Sequence, residues 1–442
     1  MSARSGRRPI LLVCLAVFGL MVGQQMLNPV LPPLARELGF SELALGSVWA
    51  VGGAGVVLAS PFWGRRGVSW GHRAVLLVSL LGALVALLAF AVVAQAGLAG
   101  VLAAAPLFTL VLLTRGIVFG LAWAATPVTA QSYVADMTTG TAERVRGMSM
   151  IGAAQGLALA AGPALGGVLS LGGLLLPAYV APVILALIAV LVAVGLPKPR
   201  ARAVRPRAVR VSPFDRRMWP FLVTGFGLYL ALAIVLMTVG FLVQDRLHLT
   251  TSRTGPVTSV VVLAGAAVII LVQVLVVPRL RWTPARLIRV GTIVMAAGMV
   301  GVTVAPNGML IAAGMAVLGA GMGFGTPGFM SAPTLLATRE EQGAVAGLVG
   351  SGSALAFMLG PLLGTGLYEI APAAPYLLGA LLLAGLAVFA FVHPGVRQEP
   401  AMAEVSAPAG PPRDHAGDPA AGSSPGCGPS AGRPASSARP GL

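Results

Sequence analysis

Charge is scarce in this chain. Only 10% of its 442 residues are Asp, Glu, Lys or Arg, against about 25% in a typical soluble domain. A length that would suit two or three soluble domains is therefore no guide to architecture. Acids are scarcer still: all 13 Asp and Glu lie in loops, tails or helix ends. The apolar interior thus lacks the usual proton carrier, a carboxylate whose pKa is raised by burial. Two cysteines, Cys14 and Cys427, exclude a disulfide framework. The four histidines join no His/Cys/Asp/Glu cluster, so no metal site is expected. No G-x-x-x-x-G-K-[ST] occurs, which argues against an intrinsic ATPase. No nucleophile constellation suggests an enzyme, and no cofactor is expected.

What is abundant is hydrophobicity: 57% of residues are apolar and the mean hydropathy is +0.90. Twelve long apolar stretches lie between Ile10 and Val392. About 20 apolar residues cross the bilayer core as a helix, and a helix satisfies its own backbone where lipid cannot. The expected fold is an all-α membrane protein with twelve transmembrane helices. The start, Arg7-Arg8 before an apolar run, mimics a signal peptide. It lacks a small-x-small cleavage site and reads as the first span. Helix 1 is expected over 10–31, stopped by Pro32-Pro33, and helix 2 over 45–62. A basic loop should follow over 63–73.

The net charge of +16 could suggest nucleic acid, but its distribution does not. If the N-terminus is cytoplasmic, nearly all the basic residues fall on the cytoplasmic side. Only Arg36, Arg246 and Arg253 fall in outer loops, and Arg115 lies within a span. This is the positive-inside pattern. It predicts a multi-pass protein of the cell (inner) membrane with both termini inside and no nucleic-acid partner. The Arg- and Pro-rich stretch 197–217 reads as a solvated linker. Residues 393–442, rich in Pro, Ala, Gly and Ser, read as a disordered cytoplasmic tail.

The halves on either side of that linker echo each other. Gly162-Pro163 with Gly166 recurs 198 residues on as Gly360-Pro361 with Gly364, and Thr126-Pro127 recurs as Thr326-Pro327. Such a period predicts two six-helix bundles, 1–196 and 218–392, around a pseudo-twofold axis, with a binding cavity at their interface.

Four stretches then carry a resemblance. Helix 1 ends Gln24-Gln25-Met26-Leu27-Asn28-Pro29-Val30-Leu31-Pro32. The turn Gly64-Arg65-Arg66-Gly67-Val68-Ser69-Trp70-Gly71-His72-Arg73 is similar to a G-x-x-x-D-R-x-G-R-R loop. Helix 4 has Arg115, Gly120 and Tyr133-Val134-Ala135-Asp136, with Glu143-Arg144 beyond. Helix 5 has Gly162-Pro163-Ala164-Leu165-Gly166-Gly167. Over about residues 10–392 the chain resembles the major facilitator superfamily, specifically its twelve-span drug:proton antiporter branch. There are departures. Val68 and Ser69 stand where the loop motif has Asp and Arg, Gly120 follows Arg115 by five residues instead of four, and Ala158 replaces a glycine.

The resemblance implies an inner gate built from Gly64, Gly71 and Arg73, with Asp136 organised by Arg144 or Arg73. It also implies that Gly162, Pro163, Gly166 and Gly167 bias the carrier toward export. Arg115 is the only charge well inside a span, at a cost of ~2.5–3.5 kcal/mol even on the lenient insertion scale. Either a substrate or coupling contact, or a hydrogen-bond hub, would explain it. Gln24 and Asn28 share a face at i and i+4 and, with Gln25, could face Arg115. Trp123, Gln155, Tyr229, Gln273 and Phe324 fall at cavity depth, with packing as the alternative for each. Glu369 and Asp245, at outer span ends, are the proton-coupling candidates, alongside a proton carried by the substrate.

The expected function is export of a small, partly apolar molecule by alternating access, coupled to protons, by a monomer in the lipid bilayer. The substrate could be drug-like or a metabolite such as a siderophore. Alternatives are an importer or facilitator, or a non-transporting receptor or scaffold on the same fold.

Overall fold

Pro29, not the Pro32-Pro33 pair, sets where the first long helix stops. That helix is Arg4–Leu27. A residue before proline is pushed out of the α region, and Asn28 accordingly sits in a turn. Pro32 and Pro33 instead occupy the first turn of a short helix, Leu31–Glu37, where a missing N–H leaves no bond unmade. The single helix expected over 10–31 is therefore two helices joined by a turn.

The computed structural model describes residues 4–138, 141–197, 211–280, 282–338 and 341–397. Most of the linker and the tail from 398 lie outside the described residues, as do some side chains within helices, including those of Val68 and Arg144. Among the described residues all regular structure is helical, and twelve helices are long and apolar enough to cross a membrane. We label these α1 (Pro9–Leu27), α2 (Glu42–Gly67), α3 (His72–Leu98), α4 (Ala104–Met137), α5 (Arg146–Ser170) and α6 (Leu176–Gly195). The second half has α7 (Trp219–Arg246), α8 (Thr251–Leu280), α9 (Pro284–Val304), α10 (Gly308–Pro333), α11 (Gly347–Ile370) and α12 (Ala374–Val392). The side from which α1 starts, where α6 ends and α7 begins, is called the linker face.

The expected basic loop over 63–73 is largely helix. The helix of α2 runs on to Trp70 and the next begins at His72. Arg66 stacks over Phe62 and Trp70, one turn to either side, at 5.1 and 4.8 Å, which supports the extra turns. The joint is Gly71 alone, at φ 85° and ψ 150°, a region essentially restricted to glycine.

Within α4 the stretch Leu112–Val118 is π-helical. A π-bulge inserts one extra residue in a helix. This accounts for the five-residue step from Arg115 to Gly120, which remains against α2: a Cβ at Gly120 would meet the Gly52 carbonyl oxygen at 2.5 Å.

The halves share their packing devices. Arg73, opening α3, donates to the Ala193 carbonyl at the end of α6. In the second half Arg289, near the start of α9, donates to the Ala390 carbonyl near the end of α12 at 2.9 Å. Both place a cation on a helix C-terminus, where the dipole favours it. Gly162 and Gly166 of α5 press on the backbone of α1 at Gln25 and Met26. Gly360 and Gly364 of α11 press on α7 at Ala233 and Ile234 in the same way. Small residues at such crossings let backbones meet where lipid supplies no hydrophobic drive.

The two halves touch along only part of their length. Near the face opposite the linker, Gly167 of α5 abuts Ser259 of α8, and Gly46 of α2 abuts Thr365 of α11. Toward the linker face, Gly152 and Gly156 of α5 and Gly347 and Gly350 of α11 have nothing within 4 Å of a would-be Cβ. Leu58 of α2 and Val274 of α8 are 78% and 63% exposed there. The halves are thus closed on the opposite face and parted toward the linker face.

Candidate functional site: a cavity between two halves and the seam that closes it

The closed end is built around one guanidinium. Arg36, at the end of the short Leu31–Glu37 helix, donates from Nη2 to Glu42 at 2.7 Å and to Asp245 Oδ2 at 2.9 Å. Its Nη1 also bonds Asp245, and reaches Gln244 at 3.3 Å. The Phe241 ring lies 4.9 Å from the guanidinium carbon. The hydrogen bond to Asp245, together with Glu42, pushes the Arg36 pKa up, so the cation is permanent. Tyr368 of α11 donates to Asp245 Oδ2 at 2.8 Å. Glu369 accepts from the Leu43 backbone N–H at 2.9 Å. Glu37 accepts from Thr251. Every one of these acids but Glu42 bonds across the two halves, so Asp245 and Glu369 both sit in the closing seam.

Behind the seam lies a small apolar pocket between the halves, with room for about one water-sized body in this state. It is lined by Leu159 of α5 from the first half, and by residues of α7, α8 and α10, among them Leu232, Leu236, Ile269 and Met315. Gln155 lies one turn from Leu159 toward the linker face and is half-buried. Tyr229 of α7 packs edge-on against Phe329 at 6.1 Å and near Phe357 at 6.0 Å, joining α7 to α10 and α11. Gln273 lies in a second π-helical stretch, Val272–Val276, and is half-buried. Phe324 instead stacks on Trp282, in the turn between α8 and α9, at 5.9 Å. The half-buried Trp123 keeps its indole nitrogen buried without a partner.

Arg115 is 5% exposed, and its described contacts stay within the first half. It donates to Gln24 Oε1 at 2.7 Å and stacks between Trp49 at 4.9 Å and Phe119 at 4.5 Å. Gln24 thus meets Arg115, as its position suggested. Asn28 does not share that face, because the helix ends at Leu27; its amide donates to Gln25 at 2.9 Å. At the linker face, Asp136 is paired with His72 at 3.4 Å, while Arg73 is engaged on Ala193. Of the two expected partners of Asp136, Arg73 is thus occupied by a helix end. The Arg144 side chain lies outside the described residues. A Cβ at Gly64 would meet Val128 of α4 at 3.7 Å, and Pro163 lies within the long α5 helix between its two contact glycines.

Sequence reasoning passed over Arg36, Glu42, Tyr368 and Trp49. Arg36 carried a usable signal: it is one of few basic residues where the charge bias leaves almost none. The others are marked only by partners distant in the chain.

Twelve spanning helices in two pseudo-symmetric halves, closed at one end and parted at the other, have the architecture of a membrane transporter. The sequence profile of the Major Facilitator Superfamily matches residues 13–349 and 281–424, and the chain belongs to that family. It is similar to the class G tetracycline resistance protein of Vibrio anguillarum, 28% identical over 373 residues, 81% of this chain and 90% of that protein. Its fold is similar to that of the nucleoside transporter NupG (TM-score 0.66, 14% identity, 88% of this chain and 100% of that one). It is also similar to the human organic anion transporter MFSD10, or TETRAN (TM-score 0.60, 19% identity, 88% of this chain and 100% of that one).

Proposed function

We propose that this transporter exports a small, partly apolar molecule from the cytoplasm in exchange for protons, with both termini and the linker face cytoplasmic. The observation that supports it most is the likeness to a tetracycline resistance protein across 90% of that protein's length. A resistance protein on a transporter fold lowers the amount of drug inside the cell. The apolar lining between the halves suits such a cargo, since binding sites for small molecules are mostly apolar with a few polar groups. In this reading Leu159, Gln155, Tyr229 and Gln273 meet the substrate from the two halves. Arg115, Gln24 and Gln25 shape the first half, and Trp123 and Phe324 pack around it. Gly162, Pro163, Gly166 and Gly167 hold α5 against α1 and, in this state, against α8. Asp245 and Glu369 are the protein-borne coupling candidates.

The test is accumulation of a panel of tetracyclines and other amphipathic dyes in a susceptible bacterium expressing the chain. Expression should lower accumulation of at least one compound, and a protonophore should restore it. Equal accumulation with and without the protein across the panel would count against export. Lowered accumulation that survives the protonophore would count against proton coupling.

A further inference from the structure

The path between the halves offers nothing to balance a positive charge. None of the 13 acids lies deeper in a span than the second residue from its end. The acids at span ends are already engaged: Glu42 and Asp245 by Arg36, Glu369 by the Leu43 amide and Asp136 by His72. The described side chains that line the space between the halves are hydrocarbon and thioether, from Leu159 across to Leu236, Ile269 and Met315. In the export reading a substrate enters at the linker face, and that face is basic. Arg65 and Arg66 near the end of α2, and Arg279 and Arg286 on either side of the turn between α8 and α9, form no described ion pair. Asp215 and Glu341 there are taken up by Arg217. Aromatic faces can hold a cation, but at this end they hold the chain's own. Arg66 lies over Phe62 and Trp70, and Arg286 lies 4.6 Å from the centre of the Trp282 ring, which also stacks on Phe324.

We propose that the substrate is an electroneutral amphiphile and that the path selects against permanent cations. A cation is repelled at the basic entrance and then meets a lining without a countercharge, where an uncompensated charge is costly. An anion is drawn to the entrance but meets the same cost in the lining. A molecule without net charge meets neither obstacle. Its apolar part suits Leu159, Leu236, Ile269 and Met315. Its polar groups have the half-buried amides of Gln155 in the first half and Gln273 in the second, each both donor and acceptor and neither charged. The inference rests on the reading that the lining between the halves meets the substrate, and it names the charge class that this lining accepts.

The experiment compares one dye scaffold in three charge forms. A rhodamine with a free carboxylate is electroneutral, its methyl ester is a permanent cation with slightly more apolar surface, and fluorescein is the corresponding anion. Binding to the purified full-length protein in phosphatidylcholine nanodiscs is read by fluorescence polarisation against empty nanodiscs. The wild type should bind the electroneutral dye at least about tenfold more tightly than the ester or fluorescein. Because the ester is the more apolar molecule, weaker binding isolates the effect of charge. Gln155→Glu keeps the side chain's size and adds a carboxylate; it should tighten binding of the ester about tenfold without tightening that of the electroneutral dye. Gln273→Glu repeats the test from the second half, should the first variant not fold. Wild-type binding of the ester or of fluorescein as tight as that of the electroneutral dye would overturn the proposal. Ester affinity unchanged in both folded Glu variants would overturn it too. Binding of no dye by the wild type or either variant would overturn the lining as the substrate site, and the proposal with it. Unchanged drug accumulation in cells would instead count against export and leave these affinities as they are.

Discussion

Arg36 of the first half is ion-paired with Asp245 of the second, 209 residues further along the chain. Three features make the pair more than a surface contact. The guanidinium is shared with Glu42, its face is covered by Phe241, and Asp245 is held in turn by Tyr368. The side chains of the pair remain 27% and 38% exposed, so solvent screens part of the attraction.

Removing the cation should therefore loosen the seam without unfolding the protein. Arg36→Gln is expected to cost the closed seam about 1 kcal/mol, roughly a fivefold shift toward opening on that face. Spin-label distances between α2 and α11 near Gly46 and Thr365 would report it. An unchanged distance distribution would show that Phe241 and the small-residue contacts close the seam alone.

Glycines should divide by face. Gly166→Ala puts a Cβ into the Met26 carbonyl; such overpacking should cost ~1–3 kcal/mol in thermal stability, and Gly162→Leu, against Gln25, at least as much. At Gly350 and Gly152 a Cβ would meet nothing within 4 Å in this state, so Gly350→Leu and Gly152→Leu should leave stability unchanged. Transport should nevertheless fall, because alternating access requires the parted linker-face halves of α5 and α11 to close against α8 and α2. Full transport by both leucine variants would mean that these surfaces never meet.

The spans and the repeat were legible because hydropathy is a local property and the 198-residue offset joins identical dipeptides. The seam was not. Asp245 and Glu369 were marked as acids at span ends, but Arg36 and Tyr368 gain their meaning only from partners in the other half. Helix breaks were misplaced where two prolines competed: Pro32-Pro33 is the stronger signal by count, yet Asn28-Pro29 breaks the ladder first. The odd spacing from Arg115 to Gly120 was visible in sequence; that a π-helical turn absorbs the extra residue was not, since a π-bulge has no residue signature.

A second tie, at the linker face, gives a pH prediction. Arg217 bridges Asp215 at 2.8 Å and Glu341 at 3.4 Å, fastening the end of the linker to the turn before α11. The Arg217 side chain holds Asp215 below the usual carboxylate range, and the Thr338 backbone N–H does the same for Glu341. A carboxylate with a depressed pKa contributes stability above its unfolded value and loses it as pH falls through its folded value. The tie should hold at neutral and mildly acid pH and release only below about pH 4. Hydrogen exchange at Glu341, whose amide bonds Thr338, should stay slow to that point. Release near pH 6 would contradict the assignment.

Coupling to protons is the sharpest test of the seam. A carried proton needs a group that is exposed to one face in one state and altered in its bonding in the other. Asp245 and Glu369 are the candidates by position: both are second-half carboxylates that accept hydrogen bonds from the first half, Asp245 from Arg36 and Glu369 from the Leu43 amide. Protonation removes the charge that holds Arg36 and weakens the bond to Leu43, so the protonated forms would favour opening on the opposite face. Asp245→Asn and Glu369→Gln imitate the protonated forms. Each should shift the protein toward opening on the opposite face, and each should leave downhill substrate movement while abolishing accumulation against a gradient. Vesicles with an imposed pH difference would separate the two. If both variants keep full gradient-driven efflux, these acids do not carry the proton, and coupling must travel on the substrate or be absent.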